Sequence, residues 1–200
     1  MIVSCHRINT IKELKRIPQN YGVEIDLNLF GNKLCLSHDP GKNGELFYKF
    51  LKYYNHRFII INVKSEGLER RIFKLIKKFK IKNFFFLDSS FPFIYRLSKS
   101  LTKNFAIRIS DFENINTAFN MKKKVNWIWL DCFKNYKITI NQLRKLKKNN
   151  FKICLVSPDL HGRKFRNIDK QFLIKLKKNK ISIDMICIKY KNLNDIKFLL

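Results

Sequence analysis

The sequence is poor in acid. Fifteen Asp and Glu stand against 42 Lys and Arg, a formal net charge of +27 over 200 residues. A field of that size attracts anions and is one signature of a nucleic-acid or acidic-membrane partner. The basic residues read otherwise. Segments 75–82 (LIKKFKIK), 143–150 (LRKLKKNN) and 173–180 (LIKLKKNK) interleave Lys with apolar residues at helical spacing. That is the pattern of solvated outer faces of amphipathic helices. Lys, Asn, Ile and Phe are abundant together, as A/T-rich codons would make them. An RNA-binding aromatic signature, a zinc-finger spacing and a basic zipper are all missing. No specific nucleic-acid partner is expected, although the positive field suits a phosphate-bearing substrate.

Other absences narrow the class further. No apolar run reaches the roughly 20 residues that a membrane-crossing helix needs, so no transmembrane segment is expected. The N-terminal MIVSCHRINT lacks a basic region followed by an apolar one, so a cytoplasmic protein is expected. With 6 Gly and 4 Pro there is no linker-like stretch, and one domain over residues 1–200 is expected. Cys5, Cys35, Cys132, Cys154 and Cys187 are odd in number, widely spaced and form no CxxC. They read as buried thiols rather than as a disulfide framework or a zinc site.

What is present is a rhythm. Short apolar runs recur as IVSC (2–5), VEIDL (23–27), FIIINV (58–63), FFFL (84–87), FAIRI (105–109), WIWLDC (127–132), ICLV (153–156) and MICI (185–188). A hairpin return, KLCLS (33–37), follows the second run. Short, nearly continuous apolar runs are expected of parallel strands buried on both faces. Helical patterns fill the gaps: 67–80, 91–101, 168–179 and 193–200, with capping-box spacing at Thr10/Glu13, Ser110/Glu113 and Thr139/Gln142. Strand–helix alternation repeated eight times predicts a compact α/β (β/α)8 barrel of TIM type, with a β-hairpin after the second strand.

In such a barrel, active sites lie at the C-terminal ends of the strands. The first strand ends in His6-Arg7. The second carries Glu24 and Asp26, and its hairpin returns to His38-Asp39. The third ends in Asn62 and Lys64, with Glu66 just beyond. Glu24 and Asp26 are two apart and share a face of their strand. Adjacent carboxylates need a cation or a shared proton, and hard divalent ions such as Mg²⁺ or Ca²⁺ take oxygen ligands of this kind. Two imidazoles, His6 and His38, suit general base and general acid. Arg7 and Lys64 suit phosphate oxygens.

These residues carry a resemblance. CHR after the first strand, GVEIDL as the second, SHD after a hairpin and a third strand ending in Lys resemble the glycerophosphodiester phosphodiesterase family. The signature covers the first third of the chain. The resemblance implies metal-dependent cleavage of a small phosphodiester with one divalent cation. It implies His6 and His38 as the acid/base pair, Arg7 at the phosphate, and Glu24 and Asp26 as metal ligands. A neighbouring substrate hydroxyl as nucleophile, through a cyclic phosphate, is also implied. Two departures stand out. The family's third strand reads Ile-Glu-Ile-Lys, whereas INVK (61–64) places Asn62 at the ligand position. The family's insertion after His-Asp is missing.

Asn62 offers an amide oxygen, and Glu66 has the strand parity to replace the missing carboxylate. The alternative reading of Glu66 is an acid in the first turn of the next helix. A non-catalytic barrel binding a phosphorylated ligand and a basic nucleic-acid binder are the other readings of the whole. Asp88, Arg108 and Asp131 are expected as polar residues of the barrel mouth, His161 as a loop residue and His56 at the opposite face. Trp127 and Trp129 are expected in packing.

Overall fold

A computed structural model describes residues 1–199. Ten strands follow in chain order: β1 (Ile2–Cys5), β2 (Gly22–Phe30), β3 (Lys33–Leu36), β4 (Glu45–Leu46), β5 (Phe58–Val63), β6 (Phe84–Leu87), β7 (Ala106–Ile109), β8 (Trp127–Leu130), β9 (Lys152–Val156) and β10 (Met185–Ile188). Seven helices lie between them: α1 (Ile11–Leu14), α2 (Phe47–Leu51), α3 (Glu69–Lys78), α4 (Phe91–Ser100), α5 (Ile115–Asn120), α6 (Ile140–Lys148) and α7 (Asn167–Lys178). Every apolar run named from the sequence forms a strand.

The protein is mixed α/β around one ten-stranded sheet. Parallel ladders run β7-β8-β9-β10-β1-β2-β5-β6. Between β6 and β7 the pairing thins to one parallel bridge, Phe86 with Phe105. The hairpin departs from the parallel scheme, because β3 pairs antiparallel with the upper half of β2 and β4 pairs antiparallel with β3. The short β4 was not foreseen. Together with α2 it fills the segment between Asp39 and β5. The Glu45 carboxylate there accepts the Ile11 N–H at 2.9 Å, tying the segment to the start of α1.

Alternation along the strands divides the apolar side chains into two clusters. One row faces the helices, with Val23, Ile25, Ile59, Ile61, Ile128 and Ile153 among its members. The other row faces inward and is headed by aromatics: Phe58, Phe85, Trp127 and Trp129. Phe85 and Trp127 lie 4.8 Å apart between ring centroids, and Phe58 meets Trp127 edge-on at 5.2 Å. The two tryptophans are therefore packing, as expected. A glycine opposite this plug permits close strand packing. A Cβ on Gly22 would meet Phe58 O at 3.1 Å and Ser4 Oγ at 3.2 Å.

The capping boxes at Thr10 and Thr139 form as the sequence indicates. Ser110 and Glu113 do bond to each other, but α5 begins later, at Ile115 with Asn114 as its cap. Asn114 offers the next N–H groups a carboxamide oxygen, which moves the helix start by one turn. The C-terminal pattern folds as a 3-10 helix over Tyr190–Leu199 rather than an α-helix, and Leu200 lies outside the described residues. Lys80, Asn150 and Lys180, just past α3, α6 and α7, have φ of 56°, 63° and 54°. In a chain with 6 Gly, ordinary residues take the left-handed stop that glycine usually supplies.

Phe85→Ala should destabilise the protein by about 3–5 kcal/mol, the usual range for emptying a fully buried aromatic site. Urea unfolding measures this. A loss under roughly 1 kcal/mol would mean that the inward row is not a packed core.

Candidate active site

One edge of β2 organises the site. At its lower end Cys5 of β1 is in register with Val23. Where β1 stops, the chain stays on the same edge: Ile8 N–H donates to Glu24 O at 2.8 Å. The Asn9 carboxamide then accepts from Asp26 N at 2.8 Å and donates to Asp26 Oδ2 at 2.9 Å. Directly above, Ser37 N–H donates to Asp26 O at 3.1 Å. The segment carrying His6 and Arg7 and the one carrying Ser37 and His38 are thus stacked along one edge. The other edge pairs Glu24 with Ile60 and Asp26 with Asn62.

Glu24 is fully buried and Asp26 nearly so. Burial, and secondarily the charge of Asp26, push the Glu24 carboxyl up to about 8. The Arg7 N–H, donated to Glu24 Oε2 at 2.8 Å, and the neighbouring Asn62 amide act in the other direction. Arg7 makes that bond from a left-handed backbone, φ 56°, unusual for a side chain of its size. Two cations and an imidazole gather round the pair. Arg7 Nε is 3.8 Å from Asp26, Lys64 Nζ is 3.3 Å from Asp26, and His6 Nε2 is 3.7 Å from Glu24. Burial, then the Arg7 charge, lower the His6 imidazole to about 3, so it is neutral at physiological pH.

His38 is different in kind. Its side chain is 42% exposed, and its Nδ1 donates to the Asp39 carboxylate at 2.8 Å. A hydrogen bond from Lys42, followed by the one from His38, lowers the Asp39 carboxyl to about 2.

Three oxygens of this site are buried with no hydrogen-bond partner: Glu24 Oε1, Asp26 Oδ1 and Asn62 Oδ1. Asp26 Oδ1 is the oxygen that faces the Lys64 ammonium at 3.3 Å. Two carboxylates and one amide oxygen are all hard donors and fit a hard divalent ion. Glu66 does not join them. β5 ends at Val63 and α3 begins at Glu69, so Glu66 belongs neither to an extended strand nor to a first helical turn. Its carboxylate is exposed and accepts from the Ser90 hydroxyl at the start of α4. Among the described residues no group of three or more His, Cys, Asp and Glu side chains is placed to hold a metal ion.

Across the mouth lies a second polar cluster whose connections the sequence did not show. Asp131, 1% exposed, accepts from Arg108 at 2.5 Å, His161 Nε2 at 2.6 Å, Cys132 N at 2.8 Å and Trp129 Nε1 at 3.2 Å. Arg108 also pairs with Asp88 and, at 3.6 Å, with Glu113. Burial alone would raise the Asp131 carboxyl. The His161 bond and the Arg108 charge outweigh it and hold the group below the ordinary range. His161 is therefore more than a loop residue. A 3-10 turn over Pro158–His161 brings its ring onto Asp131 and onto Phe133, centroids 4.3 Å apart. Asp88, Arg108 and Asp131 were visible as strand-end polar residues, but no local pattern ties His161 to them. His56 lies at the opposite face, bonded to Ile17 O at 2.9 Å, as expected.

Acids, imidazoles and cations thus gather at the strand ends of a mostly parallel sheet. No family model matches the chain, and no curated protein matches it by sequence. Solved structures do match by fold. One is a protein of Agrobacterium tumefaciens provisionally named a glycerophosphoryl diester phosphodiesterase, with TM-score 0.66 and 10% identity, covering 100% of this chain and 98% of that one. Another is a glycerophosphoryl diester phosphodiesterase of Parabacteroides distasonis, with TM-score 0.64 and 12% identity, covering 100% of this chain and 87% of that one. The resemblance to this family read from the first third of the sequence is thereby matched by the fold of the whole chain. At such identities the likeness is one of fold. Among the described residues no helix is long and apolar enough to cross a membrane.

Asp131 should make stability depend on acid pH. Its folded pKa lies below the unfolded value near 3.8, so its contribution is complete above that value and is lost as pH falls through the folded pKa. Melting temperatures between pH 6 and pH 2 should fall less steeply in Asp131→Asn than in the parent. Parallel curves would show that Asp131 does not carry this linkage.

Proposed function

We propose that the chain is a metal-dependent phosphodiesterase of the glycerophosphodiester type, acting on a small phosphodiester rather than on nucleic acid. In this reading the sheet is a compact (β/α)8 barrel with its seam at the bridge between β6 and β7. The observation that carries the proposal is the stacking of His6-Arg7 and Ser37-His38 on the edge of β2 that bears Glu24 and Asp26. The fold of the two phosphodiesterase-named structures supports it. A cytoplasmic setting belongs to the same reading and accords with five buried free thiols.

Glu24, Asp26 and the Asn62 amide would hold the cation, Mg²⁺ or Ca²⁺, with Glu66 at the rim as the alternative fourth donor. When bound, such an ion supplies Lewis-acid stabilisation of charge on the phosphoryl oxygens. Arg7 presents a half-exposed guanidinium and Lys64 an ammonium to the same oxygens. His6, neutral and largely buried, has the protonation state of a general base, able to take a proton from water or a substrate hydroxyl. His38 donates Nδ1–H to Asp39, which leaves Nε2 free; in the imidazolium form Nε2–H would give its proton to the departing alcohol.

Replacing His6 or His38 with Ala should lower turnover of bis(4-nitrophenyl) phosphate by roughly 10²–10⁴-fold with unchanged circular dichroism. Near-normal turnover in both variants would remove the acid/base assignment. Chelation should abolish turnover, and Mg²⁺ or Ca²⁺ should restore it. In calorimetric titrations with the metal alone, Asn62→Ala should bind more weakly and Glu66→Gln as the parent does. The reverse result would make Glu66 the ligand.

A further inference from the structure

Beside the candidate site the surface carries two cavities that share a wall. One, of about 470 Å³, is lined by His6, Arg7, Arg16 and the lysines that follow β10, Lys189 and Lys191. The other, of about 500 Å³, lies beyond those two lysines and adds Arg163, Lys164 and Lys170, with Asp159 and Asp195 as its carboxylates. Both volumes are in the range of small-molecule sites.

The charges of the second cavity are not spent on one another. Arg163 is held by Asp169 through bonds of 2.8 and 3.3 Å. Asp159 is buried, and its Oδ2 takes the Lys189 N–H at 3.1 Å and the Asn192 carboxamide at 2.7 Å, which fixes the strand end carrying Lys189. The ammonium groups of Lys164, Lys170, Lys189 and Lys191 make no ion pair among the described residues. Four such groups around one cavity exceed its two carboxylates. Like charges held in a concave wall focus the field there and favour an anion. The position matters as much as the sign. Lys189 lines both cavities and shares the first with His6 and Arg7, so the wall between the cavities adjoins the proposed reacting end.

We infer that the second cavity binds a further phosphate group of the substrate, so that the preferred substrates are phosphodiesters whose alcohol itself bears phosphate. This rests on the phosphodiesterase reading and narrows it. The same wall disfavours alcohols that carry a quaternary ammonium, since cations facing cations at this range repel.

A charge series with one reporter tests it. The substrates are 4-nitrophenyl phosphodiesters whose second alcohol is 3-phosphopropyl, propyl or 3-(trimethylammonio)propyl, assayed with the full chain and Mg²⁺. The expected kcat/KM order is phosphopropyl, propyl, trimethylammonio, with about tenfold between the first two, the scale of one or two charge-assisted bonds. In Lys164→Gln/Lys170→Gln the phosphopropyl advantage should shrink at least threefold. Equal kcat/KM across the series, or an advantage untouched in the double variant, overturns the inference. Calorimetric binding of propane-1,3-diyl bisphosphate against propyl phosphate gives an answer that does not need catalysis. About tenfold tighter binding of the bisphosphate, lost in the double variant, upholds the site even if nothing in the series is hydrolysed and the phosphodiesterase reading fails. Equal affinities overturn the site even if all three esters are hydrolysed.

Discussion

Two carboxylates buried side by side on the inward face of β2 set the terms for everything around them. Glu24 and Asp26 are among the least exposed polar groups of the protein, and their mutual repulsion adds to the cost of burial. A strand that carries such a pair has to be surrounded by compensation. The structure supplies it from two segments: His6, Arg7 and Asn9 between β1 and α1, and Lys64 beyond β5. The left-handed Arg7 belongs to this compensation. It sits in a conformation costing on the order of 1–3 kcal/mol, and its N–H meets the Glu24 carboxylate.

The rest of the mouth follows from the same constraint. Buried charges are tolerated where they are networked, and the far side repeats the arrangement with different partners. Asp131 is enclosed by Arg108, His161, Trp129 and Cys132, and so is fully hydrogen-bonded. The near side leaves Glu24 Oε1, Asp26 Oδ1 and Asn62 Oδ1 without a hydrogen bond. Similar chemistry thus has two outcomes at the two sides. A saturated network rigidifies its wall, whereas on the near side Asp26 Oδ1 has only the Lys64 ammonium, at 3.3 Å. Beneath both, the aromatic plug of Phe58, Phe85 and Trp127 fills the interior.

How much of this was legible depends on the range of the signal. Strands were legible because each is a short apolar run whose burial on both faces needs no partner to be named. Glu24 and Asp26 were legible because acids at strand parity inside such a run have no cheap alternative explanation. The expected order of eight parallel strands with a hairpin after the second is present in a mixed α/β sheet, joined between β6 and β7 by one bridge. The departures lie where local chemistry competes: α5 starts at an asparagine cap, β4 adds a tenth strand, and the last helix tightens to 3-10 geometry.

By itself the sequence determined the strand rhythm, the inward-facing acids and the ordered set His6, Arg7, Glu24, Asp26 and His38. All of these follow from backbone periodicity and from residue type at a given parity. Only the tertiary structure decided that His6 is largely buried and neutral while His38 is exposed and anchored to Asp39. It also decided that Glu66 turns to Ser90, and that His161 reaches Asp131 from 30 residues away. The reason is physical. Protonation state and partnership depend on burial and on charges brought in by other strands, and those distances exist only once the sheet has assembled.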